Sequence, residues 1–293
     1  MPASSITPDA TAATLIVGRA SSDLRAFFTG EVRVQESYGA APPPLDGIDQ
    51  LVLADPTCSG HTAMNGLVYA DRFGTAVWMH AALLPVLATA GIRPCLIGGM
   101  PLYGFPGLRI RTRNWPIEAT SPLLAVLLLP ALLPLLALLA LRVWLTDGYP
   151  VVFAQRRIGR SGRPFTIYKF RTMQGSRTSQ KITESGERLR RHGLYEVPQF
   201  FNLVRGAMAL IGPRPLPVDE HPQGNGIGAW MATREQVMPG LTGLYQVCPR
   251  RRSLGLAEMC ILDAYWMHNR SCRFNTWILL RTATAMFRGW GRK

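Results

Sequence analysis

The chain has 293 residues, 47% apolar and 17% charged, which permits one or two domains with buried cores and excludes wholesale disorder. Its 28 Gly and 23 Pro follow no collagen-like period, and its five cysteines (Cys58, Cys95, Cys248, Cys260 and Cys272) are odd in number with no CxxC pair, which points to reduced thiols rather than a disulfide framework or a zinc site. The net charge of +14 is confined to one half: residues 1–150 hold 9 Lys and Arg against 10 Asp and Glu, residues 151–293 hold 23 against 8, so the second half calls for anionic partners.

The opening MPASSITPDATAATL has neither a basic n-region nor a long apolar stretch, so no secretory leader is expected. Thr14–Gly18 (TLIVG) reads as a short buried strand, Ser21–Phe28 as a helix, and Val32–Val34 and Gln50–Ala54 as further strands. Thr75–Ala90 reads as a helix and Ile92–Ile97 as a strand, followed by a Gly/Pro-rich linker, GGMPLYGFPG. Strands alternating with helices predict a small α/β domain with a parallel sheet over residues 1–113. Its first turn, GRASSD, lacks the GxGxxG that lets a backbone approach a pyrophosphate. The domain is therefore expected to be a degenerate Rossmann-like module for docking or regulation.

From Ala119 to Leu141 no residue is charged, and the segment at about 119–145 is expected to enter a membrane. Pro130 and Pro134 each remove a backbone donor inside it, so a helix that breaks near Pro134 and returns stands beside a full crossing. Arg109, Arg111 and Arg113 precede the segment, and Arg142, Arg156, Arg157 and Arg160 follow it. Positive charge on both flanks favours two cytoplasmic ends, hence the re-entrant form.

In the basic half, Gly148–Gly159 reads as a strand and turn, and Pro164–Met173 (PFTIYKFRTM) as a strand. Alternation would set Lys169 and Arg171 on one face, as a two-cation clamp for a diphosphate or as a solvated face. Glu196 stands in the stretch LRRHGLYEVPQFF, and Arg214 lies between Pro213 and Pro215, presented with little conformational freedom to lose. Asp263 reads as a metal-side or ribose contact or as a helix N-cap. The apolar and basic residues from Trp277 to Lys293 suit a helix lying in the interface or packed on the core. Arg250–Arg252 has no nucleic-acid motif around it, so lipid headgroups rather than nucleic acid are its expected partners.

The blocks GYPVVFAQRRIGRSGRPFTIYKFRTM, LYEVPQFFNLVRGAMALIGPRP and MPGLTGLYQV resemble the bacterial sugar transferase family, the monotopic polyprenyl-phosphate hexose-1-phosphate transferases that begin exopolysaccharide, O-antigen or capsule units. The likeness runs from about Asn114 to Arg288. It implies a monotopic α+β domain over 114–293, with a proline-broken re-entrant helix, on the cytoplasmic face of the inner membrane. The implied reaction moves a hexose-1-phosphate from a UDP-sugar to undecaprenyl phosphate and releases UMP, by a ping-pong route through a carboxylate nucleophile with Mg²⁺. The larger members imply a homodimer. Pro134 matches the proline of the family's helix break, with Leu133 where a serine is expected. Arg157, Lys169 and Arg171 match its basic positions, and Arg214 its GPRP turn.

The family's adjacent Asp-Glu pair falls here on Tyr195 and Glu196. A carboxylate is ionised at neutral pH; a phenol with an ordinary pKa near ~10 is not. Glu196 is left to hold Mg²⁺, to act as a base or to attack directly, and Tyr195 is the other candidate nucleophile. Further acids are lost in Gly206-Ala207-Met208-Ala209, where the family has Gly-Asp-Met-Ser, and in the loop QGSRTSQK. The expected outcomes are a transferase with a displaced nucleophile, or a non-catalytic membrane-docked relative acting as a binding or regulatory subunit.

Overall fold

In β1 (Thr14–Val17) and β3 (Gln50–Leu53) every residue is buried, as in strands covered on both faces. Between them lie α1 (Ser22–Phe27) and β2 (Val32–Gln35), close to their expected places. α2 (Gly60–Phe73) has no counterpart in the sequence reading, because two glycines and Asn65 weaken its helical signal. Residues 75–90, expected as one helix, divide into β4 (Ala76–His80) and α3 (Pro85–Thr89). Val77 and Trp78 favour a strand, and Pro85 can open a helix but not continue one. The expected linker GGMPLYGFPG is largely a strand, β6 (Met100–Phe105), antiparallel to both β4 and β5 (Cys95–Ile97). Gly104 admits that pairing: it lies opposite Trp78, and a Cβ there would fall 2.5 Å from the indole ring. The sheet order is β2-β1-β3-β4-β6-β5, with the first four strands parallel. Ile16, Val52, Trp78, Leu24 and Phe28 form its core.

This computed structural model describes residues 7–18, 22–36, 44–57, 60–106, 116–175, 179, 181–221 and 227–289. Cys58, the flanking Arg109, Arg111 and Arg113, and the terminal Trp290, Arg292 and Lys293 lie outside the described residues. The second half continues with α4 (Pro116–Asp147), β7 (Val152–Ile158), β8 (Pro164–Phe170), β9 (Met173–Gln174), β10 (Lys181–Ile182) and α5 (Glu184–Arg191). A 3₁₀ segment (Leu194–Gln199), α6 (Phe200–Val204), β11 (Ala209–Ile211) and α7 (Ile227–Arg234) follow. The last elements are β12 (Gly240–Thr242), α8 (Leu244–Val247), α9 (Leu256–His268) and α10 (Cys272–Arg288).

Two compact units result. The first takes in Met1–Arg111 and also Gln223–Arg234 and Cys248–Trp277; the second comprises Thr112–Pro222, Glu235–Val247 and Ile278–Lys293. The first unit thus recruits segments beyond the 113/114 boundary expected along the chain. α9 explains the recruitment: it is buried over most of its length, and Tyr265 meets Phe105 of the sheet edge-to-face at 5.6 Å.

In the second unit α4 carries the apolar run. At ~1.5 Å per residue its 32 residues would extend about 48 Å if straight, so it is long and apolar enough to cross a membrane. In its most apolar window 11% is buried, and Leu123, Leu127, Leu138 and Leu145 are exposed. The break expected near Pro134 is not a break in the helix, which runs through Pro122, Pro130 and Pro134. Each proline removes one donor, and in lipid a helix remains the way to satisfy the other backbone groups. Near its start, Ser121 Oγ accepts from the Leu210 N–H at 2.8 Å, and Ala125 packs with Ile167, Leu203 and Met208. At its end the Asp147 carboxylate accepts hydrogen bonds from Thr183 and Ser185, and Val143 packs on Phe170 and Leu189.

Candidate functional site

Gly193 adopts a left-handed conformation (φ 71°) that turns the chain from α5 into the 3₁₀ segment. Buried Val197, Pro198 and Gln199 anchor that segment and present Tyr195 and Glu196 side by side. β8 brings Lys169 to the same place, with its Nζ 3.9 Å from Glu196 Oε1. Arg214 reaches the same oxygen, Nη1 to Oε1 3.7 Å, from the Gly212–Pro215 turn. That turn is locked by the neighbouring PGLTG block. Gly212 N–H donates to the Thr242 carbonyl at 2.9 Å, Gly240 N–H donates to the Pro213 carbonyl at 2.9 Å, and a Cβ on Gly212 would collide with the Met238 carbonyl. Lys169 Nζ and the Arg190 guanidinium each lie 5.8 Å from the centroid of the Tyr195 ring, and Arg214 hydrogen-bonds to the Tyr195 side chain.

One carboxylate therefore sits among several cations. Burial pushes the Lys169 ammonium down to about 8; Glu196 opposes this, while Arg214, Arg157 and Arg190 reinforce it. Burial also acts downward on Arg214, but Glu196, Tyr195 and Tyr245 outweigh it and hold Arg214 above its ordinary value. Burial, and then the nearby Arg214, bring Arg157 down to about 10 against Glu220, Glu196 and Asp219. An arrangement of fixed cations around a shielded carboxylate can receive a polyanion and stabilise charge that develops on a phosphoryl group.

The model of the family described as "Bacterial sugar transferase" matches residues 117–289, more than half the chain. The chain belongs to the bacterial sugar transferase family. It is 40% identical over 157 residues to the undecaprenyl-phosphate glucose phosphotransferase of Komagataeibacter xylinus, covering 47% of this chain and 30% of that one. It is 36% identical over 140 residues to the UDP-glucose:undecaprenyl-phosphate glucose-1-phosphate transferase of Escherichia coli, covering 44% and 30%. It is 31% identical over 189 residues to the exopolysaccharide production protein ExoY of Sinorhizobium fredii, covering 56% and 82%. The chain thus spans less than a third of the length of the first two relatives.

Of the residues carried over from the family pattern, Lys169, Tyr195, Glu196 and Arg214 come together. Arg157 braces them instead of facing outward: Nη1 donates to the Pro215 carbonyl at 2.9 Å and Nη2 to Gln155 Oε1 at 2.6 Å. Arg171 does not form a clamp with Lys169. The strand ends at Phe170, so alternation no longer governs Arg171, and its guanidinium donates to the carbonyls of Asp147, Gly148 (2.8 Å) and Tyr149 (3.1 Å), closing the end of α4. Asp263 lies in the first unit, where it binds Arg234 at 2.6 Å. His192 meets the Met286 carbonyl at 2.9 Å. Tyr245 escaped the sequence reading: it is an uncharged residue inside the PGLTGLYQV block, and its signal is its position next to the glycines that lock the Arg214 turn.

The magnesium ion that the family resemblance implies needs oxygen ligands. Glu196 is the one carboxylate at the centre of the cluster, and it already faces Lys169 and Arg214. Among the described residues, which include every Asp and Glu of the chain, no three His, Cys, Asp or Glu groups come together to hold a metal. These residues offer such an ion one carboxylate, already opposed by two cations, and do not form a magnesium site of their own.

Proposed function

We propose that the second unit transfers a hexose-1-phosphate from a UDP-sugar to undecaprenyl phosphate at the cytoplasmic face of the inner membrane, with Glu196 as the attacking carboxylate. The observation that carries this reading is the position of Glu196 between Lys169 and Arg214, inside the segment that matches the family. Two of the relatives are named for a transfer between undecaprenyl phosphate and glucose, and the Escherichia coli one names UDP-glucose as the donor, which supports the same class of donor and acceptor here. In the first step a Glu196 oxygen attacks the sugar-bearing phosphorus, the bond to the bridging oxygen breaks, and UMP leaves. In the second step an oxygen of undecaprenyl phosphate attacks the same phosphorus and frees the carboxylate. Lys169 and Arg214 hold the phosphoryl oxygens through both steps, and Tyr195 positions Arg214. The test is UMP release from a panel of UDP-sugars by the full chain with undecaprenyl phosphate. Release that depends on one sugar supports the reading; silence across the panel contradicts it.

The lipid acceptor demands a site at the membrane surface, and α4 suits that. Ser121 and Asp147, 26 positions apart, are both bonded to the same folded unit. Attachment of both ends to one body favours a helix that bends at its internal prolines and keeps both ends on one face over one that separates them across a hydrocarbon layer ~30 Å thick. In a chain whose own cysteines are replaced, single cysteines at Thr120 and Tyr149 are expected to label from the same face of sealed vesicles. Labelling from opposite faces would contradict the re-entrant reading.

Lys169 also gives the site a pH dependence. Its charge is present below its pKa of about 8 and is lost above it, so affinity for an anion is fully present at lower pH and falls as pH rises through that value. UDP affinity is expected to drop about tenfold across this window, and in Lys169→Arg the drop is expected to disappear. A flat profile in the native chain would contradict the assignment of Lys169.

A second reading rests on Tyr195, which stands where the family's expected acid is missing and is bonded to Arg214. In that reading the unit binds its ligands without turnover. A native chain that is silent, and a Tyr195→Asp variant that releases UMP, would select it.

A further inference from the structure

We propose that this chain binds the diphosphate of its ligand through Lys169 and Arg214 without a divalent cation, because Tyr195 leaves Glu196 as a single carboxylate already opposed by two fixed cations. The inference rests on the reading above that the cluster receives a UDP-sugar. A divalent ion between a diphosphate and the protein does two jobs: it neutralises phosphate charge, and it bridges phosphate to protein carboxylates. The first job is already done by Lys169 and Arg214, within 3.9 and 3.7 Å of one Glu196 oxygen, with Arg190 held beside Tyr195 by its bond to Thr172.

The second job has too few ligands. Asp147 is bound by Thr183 and Ser185, Glu118 pairs with Arg160, and Glu235 pairs with His221 at 2.5 Å. Asp219 and Glu220 are exposed and act on Arg157. A cation placed at Glu196 would have one protein carboxylate and would face Lys169 and Arg214 at close range. An aspartate at position 195 would change both conditions at once, adding a second carboxylate and removing the phenol that Arg214 holds.

The test is calorimetric titration of UDP into the full chain in detergent, with EDTA or with magnesium chloride. For the native chain the two dissociation constants are expected to agree within about threefold. In Tyr195→Asp, affinity is expected to be lower in EDTA and to recover about tenfold or more with magnesium. Tyr195→Asn, which adds no charge, is expected to stay indifferent to the ion. Lys169→Met, which keeps the buried stem, is expected to lose about tenfold or more in EDTA. A native chain whose affinity rises tenfold or more with magnesium would overturn the proposal while leaving the UDP-sugar reading standing. A Tyr195→Asp variant indifferent to magnesium would overturn it in the same way. Failure of every form to bind UDP would overturn both.

Discussion

Glu196→Gln is expected to lower UMP release by about 10³-fold or more while leaving UDP binding intact or tighter. The amide keeps the shape of the side chain and its place on the 3₁₀ segment, where Val197 and Pro198 are buried beside it. What is lost is an ionised oxygen able to attack phosphorus. Glu196 is the negative charge between Lys169 and Arg214, so neutralising it leaves both cations to the diphosphate. The split between rate and binding is the informative part. A purely structural role would lower both together, and a metal-ligand role would weaken binding in the presence of magnesium. Steady-state UMP release and calorimetric UDP titration on the same preparation distinguish the three.

Asp263→Asn is expected to destabilise the first unit by about 3–5 kcal/mol, read by urea unfolding. Asp263 Oδ2 and Arg234 Nε lie 2.6 Å apart, with side chains 2% and 7% exposed, so removing the carboxylate strands a guanidinium where water cannot reach it. The surroundings are strongly desolvating: burial pushes the neighbouring Cys260 thiol up to about 12. Replacing both partners by apolar residues of similar size, Asp263→Leu with Arg234→Met, is expected to recover most of the loss, because no charge is then left unpaired. A substrate-contact role for Asp263 would instead appear as weaker UDP binding with unchanged unfolding.

The legible parts of the fold were those with local causes. TLIV and QLVL each carry a continuous apolar triplet that reads as a buried strand, and the uncharged stretch after Ala119 marked a helix long and apolar enough to cross a membrane. β6 was illegible because Pro101 and Gly104 signal a loop, and the reason for the glycine is Trp78, a residue distant in sequence and adjacent only across the sheet. The same distinction runs through the site. Lys169, Glu196 and Arg214 could be assembled from motif blocks, since each block carries its own charged residue. Arg157 and Arg171 could not be placed, because their guanidinium donors are taken by carbonyls 58 and 22 to 24 residues away in sequence. A side chain's charge is visible in a sequence; what satisfies it is decided by the fold.

The most direct measurement is a single turnover without acceptor: the full chain mixed with a UDP-sugar that it uses, undecaprenyl phosphate omitted, followed by UMP quantification and peptide mass spectrometry. The account predicts a stoichiometric burst of UMP and a hexose-phosphate adduct that fragmentation localises to the Glu196 carboxylate, discharged when undecaprenyl phosphate is added. UMP release that requires the acceptor from the start, or an adduct carried by Tyr195 instead, would contradict it.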